Sequence, residues 1–224
     1  MSVSMPLERT NGHLLASHRG ARYLLDTGSP QSFGSAGLVE IGGQSMSFPG
    51  SYMGLDAHAL SGLVHSRVDG LLGADVLGRF DLRIDVAGGV VEWSLEEMAP
   101  EGDQLPLAFV MGVPVVEVVI GGRTAAMFFD TGAQVSYWQD ESLFDYEPGG
   151  DFSDFYPGFG GFDTHTWMAP MRFGSVVKNL RCGALPGLLG ETLMLAGAEG
   201  IVGNEVLADR MAYYLPRRGI LVLA

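Results

Sequence analysis

Leu24-Leu25-Asp26-Thr27-Gly28-Ser29 and Phe128-Phe129-Asp130-Thr131-Gly132-Ala133 are two copies of one phrase, 104 positions apart. Each runs from an apolar pair to an acid, a threonine, a glycine and a small residue. A single Asp-Thr-Gly is weak evidence, because Asp and Gly are common turn formers. The phrase does not stand alone, however. Asp69-Gly70-Leu71-Leu72-Gly73-Ala74-Asp75-Val76-Leu77 returns 130 positions later as Glu199-Gly200-Ile201-Val202-Gly203-Asn204-Glu205-Val206-Leu207. Gly89-Val90-Val91-Glu92-Trp93 is answered, at the same offset, by Gly219-Ile220-Leu221-Val222-Leu223. Three phrases repeated in the same order identify a tandem duplication.

The two offsets differ by 26 residues, so the second copy holds a segment that the first lacks. Val39 to Met46 reads as a strand, a Gly42-Gly43 turn and a return strand, and its counterpart is Met171 to Val177 around Gly174. Nearly all of the surplus therefore falls between Tyr137 and Met171. Elsewhere the punctuation is that of β structure. Val113 to Ile120, Gly121-Gly122 and Thr124 to Phe129 form one expected hairpin, and Leu14 to Ser17, His18-Arg19-Gly20 and Ala21 to Leu25 form another. Each delivers an aspartate at a strand end. Helical patterning is short, at Trp138 to Phe144 and after Gly73 and Gly203. The link between copies falls near Glu96 to Gln104, where Pro100, Gly102 and acidic residues interrupt the apolar pattern. The expectation is an all-β protein of two similar lobes, residues 1–99 and 100–224, with few short helices.

Composition narrows the function. The 224-residue chain has 26 acidic and 13 basic residues, a net charge of −13 that repels phosphate backbones, so nucleic acid is not an expected partner. No apolar run is long enough for a membrane-spanning helix, and the start shows no basic segment followed by an apolar stretch. With one cysteine, Cys182, expected as a buried thiol, this points to a cytoplasmic protein. The short stretch before Asp26 leaves little room for an inhibitory prosegment, so a mature form is expected. His13, His18, His58, His65 and His165 show no metal-ligand spacing and are expected as surface or satisfied polar residues. There is no Gly-x-Ser-x-Gly elbow, and Gly158 to Gly161 lacks the Lys-Ser/Thr ending of a phosphate loop. Neither a metal nor an organic cofactor is called for.

With its paired Asp-Thr-Gly and apolar-apolar-Gly phrases, the chain resembles pepsin-like and retropepsin-like aspartic peptidases, both half-sites being fused in one polypeptide. The resemblance covers nearly the whole chain. It implies the bilobal acid-protease fold with pseudo-twofold symmetry, a monomer containing an internal pseudo-dimer, and Asp26 and Asp130 as the catalytic pair of an endopeptidase acting on peptide or protein substrates. Adjacent carboxylates cannot both ionise readily, so one holds a proton while the other stays charged, as in aspartic proteases generally. The alternative is a peptide-binding or regulatory module that keeps the pair but cleaves little.

The same resemblance assigns supporting roles. Gly28 and Gly132 let backbone amides approach the carboxylates, and Thr27 and Thr131 bond across to the opposite loop. Ser29 is placed to donate its hydroxyl to Asp26, whereas Ala133 offers Asp130 none, so the two acids are expected to be inequivalent. Phe33 and Tyr137, each seven residues after its aspartate, form walls of the substrate cleft. A covering hairpin, the flap of the family, is expected in the surplus segment, with Phe159, Gly160 and Gly161 at its substrate-binding tip. The first lobe is expected to have no flap.

Overall fold

The computed structural model describes residues 2–224. Its organisation follows from turns containing glycine that reverse short, largely apolar runs. His13–His18 and Ala21–Leu25 are joined through Arg19 and Gly20, whose φ angles are 51° and 84°. Val113–Ile120 and Arg123–Phe129 are joined through Gly121 and Gly122 at 59° and 76°. Two consecutive positive φ values are what a two-residue hairpin needs to follow the strands' right-handed twist. Both hairpins end at an aspartate.

Behind each aspartate the chain forms the same three-strand weave. Ala21–Leu25 runs parallel to Gly70–Leu72 with Leu24 opposite Leu71, and Phe33–Gly34 returns antiparallel with Phe33 opposite the same Leu71. In the second half, Phe128 and Tyr137 flank Ile201 in the same senses. Gly70 and Gly200 are required at the crossing, because a Cβ there would fall on the carbonyl oxygens of Phe33 and Tyr137 respectively.

A six-stranded antiparallel sheet joins the halves, in the order Ser2–Thr10, Val90–Ser94, Asp81–Asp85, Met211–Leu215, Ile220–Leu223 and Leu105–Val110. Its centre is the pairing of Leu82 with Tyr214 and Ile84 with Ala212, where the two repeats meet. The main core lies against this sheet and includes Trp93, Phe80, Trp138 and Tyr214. Two smaller apolar clusters flank the cleft, one around Leu24, Phe33 and Leu71, the other around Tyr137, Leu185 and Ile201. The architecture is all-β, bilobal and pseudo-twofold.

Helices are few and short. Ala74–Leu77 follows Gly73, and single 3-10 turns occupy Asn204–Leu207 and Glu141–Asp145. Trp138, expected at the start of a helix, instead closes the strand Ser136–Trp138. Two further helices, Ala57–Leu63 and Gly187–Leu195, lie outside the segments read as helical. The surplus segment forms the long hairpin Glu147–Tyr156 and Gly160–Phe173, which reverses through Pro157 to Phe159. The first lobe is not bare: Ser51–Tyr52 and Leu55–Asp56 make a small hairpin after the Gly42 turn, where no hairpin was expected. With two residues per strand it forms part of the cleft wall and is too short to be a cover.

Candidate active site

The two Asp-Thr-Gly loops meet at the pseudo-axis. The backbone N–H of Asp26 donates to the Leu72 carbonyl and that of Asp130 to the Val202 carbonyl, each at 3.0 Å, so both acids are pinned at the same point of the weave. Gly73 and Gly203 then turn the chain tightly under the loops, with their N–H groups donating to the hydroxyls of Ser32 and Ser136 at 2.8 and 3.2 Å. These fully buried serines, each six residues after its aspartate, are part of the support that the sequence reading missed.

The threonines interlock. Thr27 N–H donates to Thr131 Oγ1 at 3.1 Å and Thr131 N–H donates to Thr27 Oγ1 at 3.0 Å. Their hydroxyls donate onward, Thr27 to the Phe129 carbonyl at 2.6 Å and Thr131 to the Leu25 carbonyl at 2.9 Å. Both side chains are buried, so all four bonds are shielded from water. Asn204 adds an asymmetric tie. Its Nδ2 donates to the Gly12 and Thr131 carbonyls, and Arg9 donates to its Oδ1. Ala74 stands at the equivalent position of the first copy, with no such group.

Asp26 and Asp130 are hydrogen-bonded to one another across the axis. Both are half-buried, with protein behind and a cavity in front. The approach is so close that a Cβ on Gly132 would sit 2.5 Å from Asp26 Cγ, and one on Gly28 would overlap the Asp130 carboxylate. Burial holds the Asp26 carboxyl well above the usual carboxylate range, and the neighbouring Asp130 charge and hydrogen bond raise it further. Burial also raises Asp130, but the N–H groups of Gly132 and Ala133 oppose that shift. They donate to Asp130 Oδ1 at 2.8 and 3.2 Å. Asp26 Oδ1 receives the Ser29 N–H at 2.9 Å.

The expected Ser29 hydroxyl contact is replaced by another. Ser29 Oγ donates to the Gln31 carbonyl at 3.0 Å, a local turn bond that competes successfully for the short side chain. The inequivalence of the two acids comes instead from backbone amides. Gly132 and Ala133 both donate to Asp130, whereas Ser29 donates to Asp26.

Phe33 and Tyr137 are buried in the cleft walls and line the cavity on opposite sides. The cover is the long hairpin of the second lobe, but its contact residues differ from those expected. Phe159, Gly160 and Gly161 project at the exposed tip and do not line the cavity; Asp154, Phe155, Tyr156, Pro157 and Phe162 do. The lining residues are the consecutive Asp154 to Pro157, at the end of the first hairpin strand and the start of the turn, with Phe162 on the return strand, and the rest of the turn carries the chain past the site. From the first lobe, Tyr52, Met53 and Leu55 close the opposite rim. His13 is buried against Gln134 and the ring of Phe155, and burial lowers its pKa to about 4, so it is neutral and belongs to the packing. Cys182 is buried, which pushes its thiol pKa up. Among the described residues no group of three or more His, Cys, Asp or Glu side chains is gathered for a metal.

Comparison with protein-family models and with curated proteins gives no match. Among solved structures, basic 7S globulin from soybean aligns with a TM-score of 0.53 and 10% sequence identity, over 100% of this chain and 94% of that one. At that identity the likeness concerns the fold.

Proposed function

We propose that the chain is an aspartic endopeptidase in which Asp26 and Asp130 activate a water molecule against a peptide carbonyl. The observation that supports it most directly is the hydrogen bond between two carboxylates that face one cavity, with burial raising both. In that arrangement the ionised acid takes a proton from water, the water oxygen attacks the carbonyl carbon, and the protonated acid donates to the developing oxyanion. Collapse of the tetrahedral intermediate then returns a proton to the leaving amine. The threonine interlock and the Gly132 and Ala133 amides hold the pair in register, so little reorganisation is required during reaction. No step calls on a group outside the chain other than water.

The substrate is a peptide in extended form, laid across the floor between the Phe33 and Tyr137 walls beneath the long hairpin. The cavity above the pair is about 120 Å³, room for a few waters and too small for a peptide. Binding therefore requires the hairpin to lift and close again over the chain. That tight cover also favours a second reading, a peptide-binding module with slow turnover.

Incubation with a mixed peptide library between about pH 3 and 7, with cleavage sites assigned by mass spectrometry, separates the two. Endopeptidase action predicts cleavage that falls by about 10³-fold or more in both Asp26→Asn and Asp130→Asn, the scale of losing an essential acid or base. Cleavage indifferent to both substitutions removes the assignment. Saturable binding without cleavage supports the binding module.

A further inference from the structure

The two walls of the cleft are built from equivalent strands but differ in chemistry. On the first-lobe side the lining is Leu24, Phe33, Leu60 and Leu71, completed by Phe155 of the hairpin. No acid stands among them. On the second-lobe side Tyr137, Phe162, Leu185 and Ile201 make a similar apolar wall, but Asp154 lies within it. Asp154 is opposite Phe162 in the hairpin, and its carboxylate accepts a short hydrogen bond from the Tyr137 hydroxyl and one from the Phe155 N–H at 2.8 Å.

Among the described residues no cation lies beside this third carboxylate of the cleft. No Lys or Arg among the described residues lines the cavity. Arg181, two strands away, is committed to Glu205, with Nε at 2.7 Å, and stacks on Phe152. Burial accordingly raises the Asp154 carboxyl above the usual range, opposed by the Tyr137 and Phe155 hydrogen bonds. A half-buried acid at the edge of an apolar slot is complemented by a side chain with a long aliphatic stem and a positive head.

We propose that Asp154 is a specificity-determining residue that makes the second-lobe subsite select lysine or arginine on one side of the scissile bond, while the first-lobe subsite takes an apolar residue on the other. The proposal rests on the peptide-cleaving reading of the same site. The stem packs on Phe162, Leu185 and Ile201, and the head meets the free lone pairs of Asp154. Acidic residues are rejected by three carboxylates in one enclosure.

The test uses the full chain and peptides identical except at the two positions flanking the cut, where lysine, norleucine or glutamate is placed in turn. At one flank the expected kcat/KM ratio of lysine to norleucine is about 10-fold or more, as a charged hydrogen bond supplies, with glutamate poorest. In Asp154→Asn, which still accepts from Tyr137, the ratio collapses towards unity, and in Asp154→Glu it persists. A ratio near unity at both flanks in the parent chain, or one unchanged by Asp154→Asn, overturns the proposal while leaving hydrolysis in place. If nothing is cleaved, reduced-amide versions of the same peptides read the preference through binding. A lysine preference lost in Asp154→Asn then upholds the subsite and removes only the hydrolysis. Absence of both cleavage and binding overturns the two together.

Discussion

Thr27 and Thr131 each receive the other's backbone N–H on their hydroxyl oxygen, at 3.0 and 3.1 Å, and each sends its own proton to a carbonyl of the opposite strand. Replacing either threonine with valine keeps the volume but leaves a buried N–H and a buried carbonyl unpaired. Unsatisfied buried groups cost about 1–3 kcal/mol each, so Thr27→Val and Thr131→Val should each lose about 2–6 kcal/mol of stability. No bond joins the two hydroxyls, and each substitution strands a different N–H and carbonyl, so the losses should be close to additive in the double variant. Denaturant titration measures both effects, and Thr27→Ser should recover most of the loss.

Much of this centre is legible in the residues themselves. The repeated Asp-Thr-Gly phrase and its apolar-apolar-Gly companion specify a close crossing that only glycine permits, and Gly70, Gly73, Gly200 and Gly203 occupy it. The hairpin turns were equally readable, because Gly42-Gly43 and Gly121-Gly122 carry the positive φ values that few other residues accept. Side-chain direction was not readable. Ser29 had two acceptors within reach, and nothing in its neighbours chooses the Gln31 carbonyl over Asp26. The hairpin tip misled for a related reason: Phe159 and Gly160 mark where the strand reverses, whereas the contacting residues are fixed by the register that pairs Asp154 with Phe162. The Ala57–Leu63 helix had a signal in Asp56, whose carboxylate accepts from the Ala59 N–H at 2.8 Å, but its brevity and Gly62 hid it.

The aspartate pair should make folding stability depend on pH in an unusual direction. Both carboxyls bind protons more tightly in the folded chain than at the ordinary value of 3.8, chiefly through burial. Their contribution is fully present below about 3.8 and is lost as pH rises through the folded values. Asp26→Asn removes one of the two titrating carboxylates, together with the charge interaction that adds to the effect of burial. Its stability relative to the parent chain should therefore increase with pH above about 3.8, even as cleavage disappears. Urea midpoints of the two proteins from pH 3 to 7 measure this, and parallel profiles would contradict it.

Gly132→Ala tests the closeness of the loops. The added methyl would stand 2.5 Å from Asp26 Cγ, well inside contact distance, and the carboxylates cannot separate without disturbing the threonine interlock. Cleavage should fall by at least about 10²-fold, the scale expected when reacting groups are displaced by about 1 Å. Gly50→Ala, at a position with open space around it and no positive φ, is the control for a general glycine effect.

Asp81 is fully buried in the first half and is held by Arg217 and Arg218 of the second, at 2.9 and 3.0 Å, and by the Met98 N–H at 2.8 Å. Removing one partner of a buried ion pair costs about 3–5 kcal/mol, because the remaining charges lose their compensation. The arginines here are partly exposed, so Asp81→Ala should fall near the lower end, about 3 kcal/mol, with a matching drop in the denaturation midpoint.

The joining of both halves in one polypeptide, through the sheet in which Leu82 faces Tyr214, carries a consequence for design as well as assembly. A self-pairing subunit imposes every substitution on both sides of its axis. Here either side can change alone. Asn204 ties one loop to Gly12 and Thr131 where Ala74 of the other copy has no such group and Asp75 instead holds Ser32, and a long arm rises over the acids from one flank only. Such a molecule is free to treat the two ends of an incoming chain differently, which two identical halves could never do.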